Sequence, residues 1–206
     1  MNAKPIKLML LLGCGLSFIV GIAQAQNVQG KSVKIETIKF ESVNMPNEVR
    51  DNAAEKELNE PWYRVEVKFS TEEHAGDVSV RFYVEAVDDT FKIDEDEGGK
   101  KEKKYLVLTG EQTYLNVPRG REHYAAMFLD PMSLVRYGGK NGARAIKDKN
   151  VFVQITVGED KASKSLRDDD DGWVDQCQQI SGVLLGLKES PWWPSLARRY
   201  NRIKGL

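Results

Sequence analysis

The chain has 206 residues, 41% of them hydrophobic and 30% charged, the ordinary mix of a soluble globular protein. Its 30 Lys and Arg against 31 Asp and Glu leave a net charge of −1, which excludes a protein whose main work is neutralising nucleic-acid phosphates. The length fits one domain, or one domain with an appendage.

The first residues carry an address. Lys4 and Lys7 form a basic head, Leu8 to Ile22 is apolar apart from Ser17 with glycines and Cys14 mixed in, and Ala23-Gln24-Ala25 offers small residues for a signal peptidase. The apolar run falls short of the ~20 residues a spanning helix needs. This predicts an export signal over residues 1–25 cut before Gln26, leaving 181 residues, a leader over 26–32 and the folded sandwich over 33–206, with a C-terminal extension over about 189–206. Losing Lys4 and Lys7 takes the net charge from −1 to −3. Leu11-Leu12-Gly13-Cys14 offers a lipoprotein box instead, but it leaves only Leu8 to Leu12 before the cut and strands Leu16, Phe18, Ile19, Val20 and Ile22 on the mature surface. The expected location is periplasmic, outer-membrane-associated or extracellular, with no spanning segment in the mature chain. Only Cys177 survives cleavage, so no intrachain disulfide can form, and its expected role is that of a buried small hydrophobe.

Ser32 to Glu41 reads as a strand with Val33 and Ile35 on one face and a phase shift, hence a bulge, before Ile38. Met45 to Glu60 is a polar connector, with a helical turn over Ala53 to Leu58. Tyr63, Val65, Val67 and Phe69 alternate with Arg64, Glu66 and Lys68, predicting one buried and one wet face. Val78, Val80, Phe82, Val84 and Ala86 alternate again, after a turn at His74-Ala75-Gly76-Asp77. Tyr105 to Thr109, Thr113 to Val117, His123 to Leu129 and Val151 to Val157 follow, with turns at Gly138-Gly139, Asn141-Gly142 and Gly158. No long stretch has a helical period. The expected fold is all-β, an immunoglobulin-like antiparallel β-sandwich ending in a short C-terminal helix.

The run from Asp94 to Lys104 folds on paper at Gly98-Gly99, setting Glu97 against Lys100, Asp96 against Lys101 and Asp94 against Lys103. Its expected state is a solvated hairpin tip; a ribbon that docks on a partner is the functional alternative. Asp168-Asp169-Asp170-Asp171-Gly172 resembles part of a calcium loop, but Arg167 and Gln178 occupy the two end positions where the strongest ligands belong, so a plain turn is expected. Only His74 and His123 are present, without metal-ligand spacing or a nucleophile elbow. No enzyme activity, metal or cofactor is expected.

The C-terminal block is the most distinctive. Trp173 to Ile180 reads as extended, followed by Ser181 to Leu187 and then Glu189-Ser190-Pro191-Trp192-Trp193-Pro194-Ser195. Ser195 can cap a helix with Leu196, Tyr200 and Ile203 on one face and Arg198, Arg199 and Arg202 on the others. Trp192 and Trp193 suit the end of a sandwich. With Arg198, Arg199 and Tyr200 they also suit a binding platform for sugar rings or a partner protein.

Ser181-Gly182-Val183-Leu184-Leu185 through Glu189-Ser190-Pro191-Trp192 to Arg199-Tyr200 resembles a C-terminal pattern in secreted verrucomicrobial proteins. With the signal and the length, it resembles the small immunoglobulin-like proteins encoded beside type IV pilus genes in mucin-dwelling gut members of that group. Trp193 and Ala197-Arg198 depart from that pattern. The resemblance implies a pilus-associated or host-facing role and transfers no catalytic residue. The expected function is that of a non-enzymatic envelope protein in type IV pilus-like assembly or surface adhesion. Its partners would be envelope or pilus proteins. A carbohydrate-binding module for mucin-type glycans, meeting host glycoproteins, is the alternative. No nucleic-acid partner is expected, and unpaired sandwich edges leave room for a homo-oligomer.

Overall fold

Alternation along the strands decides the architecture. In the computed structural model, which describes residues 30–46, 61–88, 104–138, 150–166, 172–196 and 199–200, two sheets pack face to face. Strands β1 (Val33–Val43), β2 (Trp62–Thr71) and β5 (Gly120–Leu129) form an antiparallel sheet in the order β1-β2-β5. Strands β3 (Ala75–Asp88), β4 (Lys104–Val117), β6 (Val151–Val157), β7 (Asp160–Ser165) and β8 (Gln178–Ser181) form the other, in the order β7-β6-β3-β4-β8. Its pairings are antiparallel except that of β4 with β8, which is parallel. The protein is an all-β, immunoglobulin-like sandwich. The expected signal (1–25), the turn at Ala53 to Leu58, the charged hairpin up to Lys103, the aspartates 168–171 and the glycines 139 and 142 lie outside the described residues.

The inner faces are those the period-two pattern names. Tyr63, Val65, Val67 and Phe69 of β2 face Val78, Val80, Phe82, Val84 and Ala86 of β3 across a core in which all nine are buried. Removing side chains of this size from water is worth about 1.5–3 kcal/mol each. In β1 the pairing slips between Ile35 and Thr37, one extra residue at Glu36, so Ile35 and Ile38 both point inward. The expected bulge is there. Gly158 turns β6 into β7 at φ +58, a conformation that costs a glycine nothing.

Two local readings need correction, and two elements, β7 and α1, carry no pattern that names them in the sequence. Tyr105 to Thr109 and Thr113 to Val117 are one strand, because Gly110 continues the ladder opposite Phe82 instead of breaking it. Trp173 to Ile180 is not extended throughout: Trp173–Gln176 makes a helical turn (α2) before β8. β7 carries only Ala162 as a buried apolar residue, too few to show as alternation. Pro131–Gly138 is a short helix (α1). Asp130 caps it, accepting from Ser133 N at 2.9 Å and Ser133 Oγ at 2.6 Å, while Leu134 and Tyr137 pack on the core.

Both long sides of the sandwich are tied. On one, β1 runs beside β7, and Lys164 Nζ donates to the Glu36 carbonyl at the bulge at 2.7 Å. Asp160 accepts from Ser32 N there at 2.6 Å. On the other, the chain crosses from β4 to β5 through Asn116 at φ 52, Pro118 and Gly120. Thr71 Oγ1 donates to Pro118 O at 2.8 Å and lies 3.2 Å from His123 Nε2 inside this corner. Burial holds the His123 imidazole below its ordinary value, a bond to Pro118 partly opposing.

Candidate functional site

The segment after β8 closes the second side and then crosses onto the outer face of the three-stranded sheet. Gly182 turns it at φ +80. Leu185 then exchanges two backbone hydrogen bonds with Phe128 of β5, each 2.8 Å. Beneath it, Ala126 N donates to the hydroxyl of Tyr114, a fully buried side chain from the opposite sheet. Gly110 makes this seam possible: a Cβ there would lie 2.6 Å from Met127 Cε, nearer still to its Sδ, and 2.8 Å from Leu184 Cβ. Leu187–Glu189 forms a 3-10 turn in which Glu189 Oε2 accepts from Gly186 N at 2.8 Å.

Past that turn lie the residues expected to bind. Trp192 is buried, its ring stacked on Phe128 at 5.1 Å and 10° and set edge-on to Trp62 at 5.4 Å and 81°. Such aromatic pairs add about 0.5–1.5 kcal/mol beyond the area they bury. Trp193 is half-buried against the core and opens a four-residue helical turn, α3 (Trp193–Leu196). The helix therefore starts before Ser195, which is a member of it rather than its cap. Pro194 is held at a first-turn position, where its missing N–H costs nothing. Arg198 and Ile203 lie outside the described residues.

Arg199 and Tyr200 reach a single acceptor, Glu66 of β2. Arg199 Nη2 lies 3.0 Å from Glu66 Oε1, and the Tyr200 hydroxyl donates to Glu66 Oε2 at 2.8 Å. The Arg199 guanidinium also sits over the Tyr124 ring, 4.4 Å from its centre. Arg64 adds a third positive or donating group at 3.8 Å from Glu66, and itself bonds Glu41 on β1. Burial, reinforced by the Glu66 charge, pushes the Tyr200 phenol far up, so it stays a donor. The Glu66 side chain is 3% exposed. The expected wet face of β2 is thus corrected: at Glu66 it is covered, and the charge is tolerated because three neighbours meet it. Two N–H groups of β2, Trp62 Nε1 and Arg64 Nε, are buried with no hydrogen-bond partner among the described residues.

Trp192, Arg199 and Tyr200 are therefore brought together, and they face inward onto Trp62, Glu66, Tyr124 and Phe128. Sequence reasoning missed those four contact residues. A signal for them exists: on β5 the outward positions Tyr124, Ala126 and Phe128 are as apolar as the inward Ala125, Met127 and Leu129. A strand apolar on both faces is covered on both.

A second cluster occupies the outer face of the five-stranded sheet, where Trp173 and Val174 of α2 lie on Tyr83, Val107 and Phe152. Cys177 packs at its margin, partly exposed rather than fully buried, and burial raises its thiol. Elsewhere on that face Arg81 is held to Glu111 by bonds of 2.7 and 3.0 Å. Among the described residues no group of three or more His, Cys, Asp or Glu is placed to hold a metal ion.

Two packed sheets closed by a C-terminal strap define the class, an immunoglobulin-like β-sandwich whose last segment belongs to the fold. A protein-family model matches residues 23–205, and the chain belongs to that family. A crystal structure from Akkermansia muciniphila, a mucin-dwelling verrucomicrobial bacterium, is similar over 87% of this chain and 100% of its own, at 24% identity and a TM-score of 0.65. At that identity the likeness is one of fold. No curated protein matches the chain.

Proposed function

We infer that this is a non-enzymatic exported protein of the cell envelope that works through protein–protein contacts, in type IV pilus-like assembly or surface adhesion. The observation that supports this most is the burial of Trp192 between Phe128 and Trp62. The aromatic and basic residues best suited to a sugar platform are engaged in the fold: Trp192 in that stack, Arg199 and Tyr200 on Glu66. Stacking a pyranose on Trp192 would first require lifting the strap. Membership of a family that spans residues 23–205, and the fold shared with a protein of a mucin-dwelling bacterium, agree with an envelope setting.

The test is a pull-down from the native envelope fraction with tagged, signal-cleaved protein, read by mass spectrometry. Recovery of pilin or pilus-assembly subunits is the expected result. Recovery of glycoproteins alone, lost on deglycosylation, would overturn it in favour of glycan binding.

A further inference from the structure

We propose that β1 is the contact edge of a symmetric dimer: past its bulge, the strand pairs antiparallel with the same stretch of a second copy, about a two-fold axis at Phe40. This contact is separate from the envelope role and does not depend on it.

β1 is an outermost strand of its sheet, hydrogen-bonded to β2 on one side. The bonds that tie it across the rim to β7 are made at Ser32 and Glu36. From Thr37 to Val43, past the slip in register, no main-chain hydrogen bond among the described residues leads anywhere but to β2. That stretch carries a row of outward N–H and C=O groups, the template on which another strand can add.

Charge decides which strand fits. Lys39 is exposed and Glu41 partly so, and both lie on the outer face, opposite Glu66 and Arg64 of β2. An antiparallel pair centred on Phe40 sets Lys39 against the second copy's Glu41, and Glu41 against its Lys39. Ile38 then meets Ser42, and Phe40, which leans on Tyr63 at 5.3 Å, meets its own counterpart. Moving the axis to Lys39 or to Glu41 sets a like charge against itself, and a parallel pair in register does so at both positions. A slip of one residue puts core-facing side chains opposite outward ones. The bulge ends the regular run on one side and Val43 ends the strand on the other, with Phe40 at the midpoint. Length and charge therefore select the same register. A contact of this kind is isologous and closes on itself as a dimer.

Analytical ultracentrifugation of the signal-cleaved chain, from micromolar to millimolar, should show a monomer–dimer equilibrium. Lys39→Glu sets two pairs of glutamates together and should weaken it about ten-fold or more. Glu41→Lys should do the same with lysines. An equimolar mixture of the two variants should recover a heterodimer near the original strength, because every cross-copy pair is then opposite in sign. A chain that stays monomeric throughout, or a dimer whose strength ignores both charges, overturns the proposal.

Glu41 also bonds Arg64, so Glu41→Lys could disturb β2; hydrogen exchange of the unaltered chain gives a second measurement. Raising the concentration should slow amide exchange over Thr37 to Val43 and leave the edge strand β8 unchanged. Substituting the exposed Lys39 by Glu should abolish that slowing. No slowing, or slowing confined to another edge, overturns the β1 contact.

Discussion

Gly110→Ala puts the seam between the sheets to a quantitative test. The added methyl would sit 2.6 Å from Met127 Cε and 2.8 Å from Leu184 Cβ, both below the 3.0 Å that side-chain Cβ atoms keep. Met127 can swing aside; Leu184 Cβ is fixed to the strap's backbone, so β4, β5 or the strap must move. Overpacking of this kind costs about 1–3 kcal/mol. Replacing a mid-strand glycine returns about 0.5–1 kcal/mol through the unfolded chain. The net expectation is a loss of up to about 2.5 kcal/mol, or a melting point lower by up to roughly 10 °C for a domain of this size. Urea unfolding of the wild type, Gly110→Ala, Met127→Ala and the double variant measures it. Met127→Ala alone should cost about 2–5 kcal/mol as a cavity. On that background Gly110→Ala should cost at least about 0.5 kcal/mol less than it does alone, since the two share one space. A Gly110→Ala protein as stable as the wild type, with strictly additive behaviour in the cycle, would refute the close approach of the sheets at this point.

Other consequences follow from single contacts. Tyr200→Phe removes a donor from the covered Glu66 carboxylate and should cost about 1.5–3 kcal/mol, whereas Arg199→Ala, whose side chain is 40% exposed, should cost no more than about 1 kcal/mol; urea unfolding separates them. His123 is held neutral by burial, so the unfolded chain binds the extra proton first: stability should fall as pH drops below about 6.5, and His123→Gln should flatten that limb of a melting-point series. The Asp160 carboxylate is depressed by hydrogen bonds from Ser32, and from Lys31 and Lys161. Its contribution should be present above about pH 4 and vanish as pH falls further, a loss absent from Asp160→Asn.

How much was legible depended on what each residue had to contrast with. β2 announces itself because charged and apolar residues alternate without interruption, β3 because Val78, Val80, Phe82, Val84 and Ala86 keep the period although Tyr83 breaks the polar series, and the bulge at Glu36 shows as a single slip of phase. β7 does not, since Asp160–Ser165 offers one buried alanine and polar residues on both sides. α1 was missed because eight residues complete little more than two turns and Met132 and Val135 face outward beside the inward Leu134, blurring the period. Among the residues expected to bind, Trp192, Arg199 and Tyr200 were recognisable from chemistry, but their partner was not. Glu66 reads as a solvated carboxylate until the strap, 133 residues later, is laid over it. A local pattern cannot carry that information, because the contact exists only once β2 and the tail have met.

The bulge in β1 reaches beyond the register it corrects. By presenting the Glu36 carbonyl sideways to Lys164, it binds the rim of one sheet to the rim of the other. The opposite rim is stitched by Leu185 to Phe128 and by Tyr114 to Ala126. These stitches join rim to rim across the sandwich, while β1, β7 and β8 remain the edge strands of their sheets.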